Sequence, residues 1–227
     1  MHYVFQMGKE SNLHLFLLLV FMNYGILYAS EHLRGGLMDK TRYRIMEAAM
    51  NLIIEQGYPA TTTKDIAKAA QVNESTLFRK FRSKKDIVLA AMQDEWHPQL
   101  SKADFAPVTE QLVTDLIRFS SVYMQKVTPR FVQLSIGLRC PQLSADTTDG
   151  IMRVPAVYKE VLEEYFQRMM KLGKMKQADT EALAMTFLSM TFGFVFLKAS
   201  FTDRLTSLKE SEYIQCSVKA FVEGVTV

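Results

Sequence analysis

Only two cysteines, Cys140 and Cys216, stand in 227 residues, with no CxxC spacing between them. A disulfide framework is therefore excluded, and the count suits a reducing compartment. The four histidines (His2, His14, His32 and His97) share no metal-ligand spacing with one another or with the cysteines, so no metal and no cofactor is expected. No Ser/His/Asp, Cys/His, paired-acid or phosphate-loop arrangement stands out, which argues against an enzyme. A strong excess of either charge is also missing. Lys and Arg total 27 against 24 Asp and Glu, for a net charge of +3. Such a chain is no general binder of polyanions, and any basic function must be local. No internal repeat or low-complexity run appears, and beyond Pro98 no strand-like alternation. What the chain does have is 48% hydrophobic residues, enough for a real core, and fourteen methionines.

The stretch from Thr62 to Phe81, TTKDIAKAAQVNESTLFRKF, organises the rest. Ile66, Ala67 and Ala70 fall on one helical face, and Leu77, Phe78 and Phe81 on another, so the period predicts two short helices across a tight turn. Thr62 stands three residues before Asp65 in a capping-box pattern. Asn73 is placed to cap the second helix in the same way, with Val72 plugging the gap between the two. Small polar residues follow the cap, then cations: Arg79, Lys80, Arg82, Lys84 and Lys85 fall within seven residues. Short side chains suit base edges and cations suit phosphates, so the pattern reads as a helix-turn-helix reader of double-stranded DNA. A solvated basic face on an ordinary helical bundle is the plainer alternative.

Gly57-Tyr58-Pro59-Ala60-Thr61-Thr62, Asp65-Ile66-Ala67, Val72, Ser75-Thr76-Leu77-Phe78 and Phe81-Arg82-Ser83-Lys84-Lys85-Asp86 resemble, in that order, the DNA-binding region of TetR-type transcriptional repressors. The resemblance covers about residues 40–92. Gln71 stands where the family usually has a turn glycine, which demands a left-handed conformer of a non-glycine residue. Phe78 and Lys80 stand where a phosphate-contacting Tyr and His are common. The expected DNA contacts are Thr62, Thr63 and Lys64 at the start of the positioning helix, Glu74, Ser75 and Thr76 at base edges, Lys80 and Lys84 on the backbone, and Asn73, Phe78 and Arg79 beside them.

Around this reader the chain divides into residues 1–37, 38–97 and 98–227. The first part is an extension whose apolar run, Leu13 to Ala29, is shorter than the ~20 residues of a spanning helix. Translation from Met38 is the preferred reading; a membrane-tethered interaction protein is the alternative. A helix is expected from Lys40 to Gln56, stopped by Gly57, and another from Ser83, capped with Asp86, to about Trp96. Beyond Pro98 helices are expected at about Val108–Lys126, Pro129–Arg139, Pro155–Leu172, Asp179–Phe201 and Glu210–Val225, with Ser144 to Gly150 a polar loop. The fold class is thus all-α, a helix-turn-helix domain followed by a helical bundle. From Ala182 to Leu197 there is no charge, and a helix apolar all round must be buried on all sides. One face can serve the core and the other a second subunit. Ala220 and Gly224 give the last helix a small face for close approach.

The resemblance implies a homodimer through the last two helices and an unknown small-molecule effector. Met124, Phe131, Leu134, Met152 and Tyr158 could line an adaptable cavity for it, as could Tyr165, Met169, Met185, Phe187 and Phe194; equally, each could be ordinary core. The expected whole is a cytoplasmic, ligand-responsive, homodimeric regulator, a repressor, released from a near-palindromic operator by an apolar or amphipathic molecule.

Overall fold

The computed structural model describes residues 39–93 and 98–226. The expectations for residues 1–37, for Met38 as the start and for the helix end at Trp96 lie outside the described residues, as does the boundary at His97. All regular structure among the described residues is helical. Helix α1 (Lys40–Ala60), α2 (Thr63–Ala69), α3 (Glu74–Lys80) and α4 (Lys84–Gln93) make the N-terminal part. A short 3-10 turn at Lys102–Phe105 leads to α5 (Leu112–Lys126), α6 (Pro129–Gly137), α7 (Ser144–Lys171), α8 (Thr180–Phe201) and α9 (Glu210–Val225).

Gly57 punctuates α1 as the sequence predicts: its φ of 80° and ψ of 161° break the helical run, leaving a single turn before Thr61. Thr62 caps α2, its Oγ1 accepting from the Asp65 N–H at 3.1 Å. The turn after α2 closes with paired bonds, Val72 N–H to the Ala67 carbonyl at 2.9 Å and Gln71 N–H to that of Lys68 at 3.1 Å. That pairing is the Schellman ending, and it puts Gln71 at φ 53°, the left-handed conformer expected of it. Asn73 departs from expectation. Its side chain makes no cap bond, because its backbone carbonyl already accepts from Thr76 and Leu77. Ser83 does cap α4, accepting from the Asp86 N–H at 3.1 Å.

Two boundaries in the second half differ from the sequence reading. Helix α5 begins at Leu112, not Val108, because Thr109 folds back and donates its N–H and hydroxyl to the buried carboxylate of Asp115. Tyr165 closes the same cluster from α7, its hydroxyl 3.0 Å from Asp115 Oδ2. Burial alone would raise this carboxyl's pKa, but the donors from Thr109 and Tyr165 outweigh it and hold it below the ordinary value. The second correction is larger. The expected loop at Ser144–Gly150 is helical, the opening turns of α7. Thr147 and Thr148 return their hydroxyls to the carbonyls of Leu143 and Ser144 at 3.0 and 2.6 Å, which lets polar residues sit in a helix without orphaned groups. Pro155, expected at a start, lies inside the helix.

Two apolar clusters hold the chain. The first gathers Ile45, Met50, Ile53, Ile66, Leu77, Phe81 and Ile87 from α1 to α4. It also takes in Leu134 of α6, with Leu138, Cys140 and Leu143 beyond it. Helix α6 is therefore shared, with Leu134 in the reader's cluster and Val132 in the second. The second cluster is aromatic: Tyr123 stacks on Tyr158 at 4.3 Å, Phe119 meets Tyr165 at 5.1 Å, and Phe187 meets Phe221 at 5.0 Å. Each fully buried large side chain contributes roughly 1.5–3 kcal/mol.

Helix α8 is long and apolar enough to cross a membrane by length and composition. Here Ala184, Phe187, Leu188, Thr191, Phe194 and Val195 face the second cluster, while Met185, Phe196, Leu197 and Phe201 stay exposed. The expectation of burial on all sides is thus not met within one chain. Its neighbour α9 is fixed to it by Tyr213, which stacks on Phe194 at 4.0 Å and donates its hydroxyl to the Met190 carbonyl.

Candidate DNA-reading surface and internal cavity

Helix α3 buries Leu77 completely and turns Glu74, Ser75, Phe78 and Arg79 to solvent, with Thr76 and Lys80 half-buried. Phe78, placed by period on the inner face, is 49% exposed. With Leu77 and Phe81 already filling the core side, the ring is directed outward. Thr62, Lys64 and Asn73 are exposed and Thr63 is half-buried, so the residues expected at the positioning helix and at base edges are all at least partly accessible.

The basic run is less uniform than its sequence suggests. Lys84 Nζ donates to the carbonyls of Tyr58 and Thr61 at 2.6 and 2.5 Å and lies 3.9 Å above the Tyr58 ring. Burial lowers its pKa. Those carbonyls lie in the turn after Gly57, where that of Tyr58 also accepts from the Thr61 N–H at 3.3 Å. Within the chain the Lys84 ammonium secures the α1–α2 corner, a task that the expected backbone-holding role did not foresee. Lys85 pairs with Asp146 at the start of α7, 2.6 Å away. Arg79 and Arg82, with Lys64 and Lys68 of α2, remain exposed.

Between the reader's core and the second cluster lies a cavity of about 750 Å³. Such a volume is within the range of small-molecule sites, ~300–1,000 Å³. Its apolar wall includes Val127, Phe131, Leu138, Ile151, Leu188 and Phe192. Ser135, Cys140, Ser144, Thr147 and Thr148 add small polar groups, and Arg139 is the single charged lining residue. Of the ten residues named from sequence, Phe131 and Met152 line it. Met124, Leu134, Tyr158, Tyr165, Met169, Phe187 and Phe194 do not, because all seven are closed into the packed clusters; Met185 is exposed on α8. Tyr123, missed as a lining residue, reaches the cavity from α5, and burial raises its pKa. Behind it the Tyr158 hydroxyl is wholly buried and completes no hydrogen bond, although Ser120 and Thr191 stand near it.

The segment from Ser135 to Cys140 borders both regions. Leu138 and Cys140 line the cavity and belong to the reader's apolar cluster. Cys140 lies near Tyr58 and Lys84. At Gly137 the helices touch: a Cβ there would stand 2.7 Å from the Ile53 carbonyl oxygen. Arg130 ties the other end of α6 to α1, donating to Asn51 at 2.7 Å.

A helix-turn-helix reader whose core shares a helix with the wall of an apolar cavity defines a class, the one-component regulators that couple a small-molecule site to DNA. Two family descriptions match the chain, "Bacterial regulatory proteins, tetR family" over residues 45–91 and "AefR-like transcriptional repressor, C-terminal domain" over residues 130–224. The chain belongs to the TetR family of transcriptional regulators, whose members bind DNA and act as dimers with small-molecule effectors. It is similar to the HTH-type transcriptional regulator YvkB of Bacillus subtilis (strain 168), 29% identical over 83% of this chain and 99% of that protein. IcaR of Staphylococcus aureus, the negative regulator of the biofilm operon icaADBC, is 24% identical over 74% of this chain and 89% of its own. Among solved structures, NalD, secondary repressor of the MexAB-OprM multidrug efflux pump in Pseudomonas aeruginosa, superposes with a TM-score of 0.62 at 15% identity, over 83% of this chain and 97% of that one. At that identity the likeness shows the fold.

Proposed function

We propose that this chain is one protomer of a homodimeric cytoplasmic repressor. Residues 38–97 read a near-palindromic operator, and residues 98–227 dimerise and bind an apolar or amphipathic effector that releases the DNA. The observation that carries the reading is the double membership of α6 and the residues after it. Because Leu138 and Cys140 contribute to the cavity wall and to the reader's core at once, a molecule that fits the cavity better in one placement of this segment than in another biases the reader's position. The names of IcaR and NalD, both negative regulators, support repression over activation.

On the operator, Glu74, Ser75 and Thr76 face base edges beside Asn73, whose amide is not spent on a cap. Phe78 offers an apolar surface to a thymine methyl or sugar. Thr62, Thr63, Lys64, Arg79 and Lys80 hold phosphates. Two readers in a dimer meet successive major grooves about one helical turn apart. Selection from randomised duplexes tests both parts. The wild-type protein should enrich an inverted repeat, and exchanging Ser75 and Thr76 for other polar residues should change the enriched bases while leaving affinity for random duplex unchanged. Enrichment of the same site by both variants would mean that α3 is not the reading helix.

A further inference from the structure

The cavity carries more information than its volume. No Asp or Glu is among its lining residues, and Arg139 is the one charge. Three of its hydroxyls are already committed as donors, Ser135 to the Val132 carbonyl, Thr147 to that of Leu143 and Thr148 to that of Ser144. The guanidinium of Arg139, by contrast, makes no hydrogen bond or ion pair with any described residue, although arginine presents five donors in a rigid fork. The acid nearest in sequence on α7, Asp146, is taken by Lys85. A cation in the wall of a largely apolar chamber, with no acid beside it in that wall, is a half-made pair.

We infer that the effector is an anionic amphiphile, a carboxylate or comparable oxyanion carried on an apolar body, with Arg139 as the residue that reads its charge. This rests on the cavity being the effector site. The apolar body lies against Val127, Phe131, Ile151, Leu188 and Phe192, and the head group stays at the exposed side where Arg139 is. The position also supplies the regulation. Arg139 lies between Leu138 and Cys140, both buried in the reader's core, so pairing it with an anion loads the segment whose displacement moves the reader.

Three probes of matched chain separate charge from apolar fit: decanoate, decanol and decyltrimethylammonium, titrated calorimetrically below their micellar range against the full chain. Decanoate should bind tighter than decanol by about tenfold or more, as a charge-assisted hydrogen bond gives, and the ammonium weakest. Arg139→Gln should bring decanoate down to the affinity of decanol without moving decanol. Arg139→Glu should reverse the order of carboxylate and ammonium. Because Arg139 is exposed and holds nothing within the described chain, both variants should melt as wild type does. Equal affinity for decanoate and decanol in wild type, or a carboxylate preference that survives Arg139→Gln, would overturn the assignment and leave the effector cavity standing. Failure of all three probes to bind would remove the cavity reading and the assignment together.

Discussion

Lys84 shows how position in sequence and role in structure separate at the level of one side chain. In the run Arg79 to Lys85 it reads as one more phosphate-binding cation, yet its ammonium donates to the Tyr58 and Thr61 carbonyls and its charge rests on an aromatic face. The expected consequence is a separation of two measurements. Lys84→Met should cost about 2–3 kcal/mol in chemical unfolding, the sum of two charged hydrogen bonds and a cation–π contact less what the apolar stem retains. The salt dependence of binding to random DNA should stay unchanged in this variant. Arg79→Ala should do the opposite, leaving stability alone and lowering the salt slope by roughly one. A Lys84→Met protein as stable as its parent, with a flattened salt slope, would restore the phosphate role. Gln71 is the converse case. Its left-handed conformer was legible because the turn needs one there and the chain offers no glycine.

At the scale of elements, α6 decides how the two halves communicate. It is short, capped by Thr128 through the Phe131 N–H, and ends at a glycine set against α1. Only hydrogen fits at Gly137 without moving the Ile53 carbonyl. Gly137→Ala should therefore push α6 from α1, cost roughly 1–3 kcal/mol in stability, and weaken operator binding in the absence of effector. Wild-type operator affinity together with wild-type stability would show that the contact is slack and that α6 is no lever. The elements themselves were largely legible. Helices were expected from about Asp179 and Glu210, and α8 and α9 begin at Thr180 and Glu210. The start of α7 was hidden because Ser, Asp, Thr and Gly in sequence are turn residues by propensity, and only the packing of Thr147 and Ile151 makes them helical. The cavity was legible in kind but not in residues. Core and cavity wall are drawn from the same apolar types, and pattern alone does not tell Phe187, closed into the core, from Phe192, at the cavity.

For the whole molecule, what one chain leaves uncovered is an apolar surface on α8 beside a small-residue face on α9. Met185, Phe196 and Leu197 are exposed, and a Cβ built at Gly193 or Gly224 meets nothing within 4 Å. Ala220 is also exposed. A surface of this kind on a transcriptional regulator is the material of a stable two-fold interface, which buries about 1,200–2,000 Å² in all. In a two-fold dimer each substitution acts twice. Ala220→Glu or Gly224→Arg should therefore destabilise association by several kcal/mol, on the order of the cost of desolvating unpaired charge. Neither residue packs inside the protomer, so helical content should be retained and the fold should survive as a monomer. Sedimentation at micromolar concentration, paired with binding to the selected inverted repeat, reads both consequences. The expected variant sediments at half the mass and loses the repeat, because a lone reader keeps half the contacts. A wild-type chain that sediments as a monomer and holds a single half-site tightly would bring down the dimer, and with it any release mechanism that works by changing the distance between two readers.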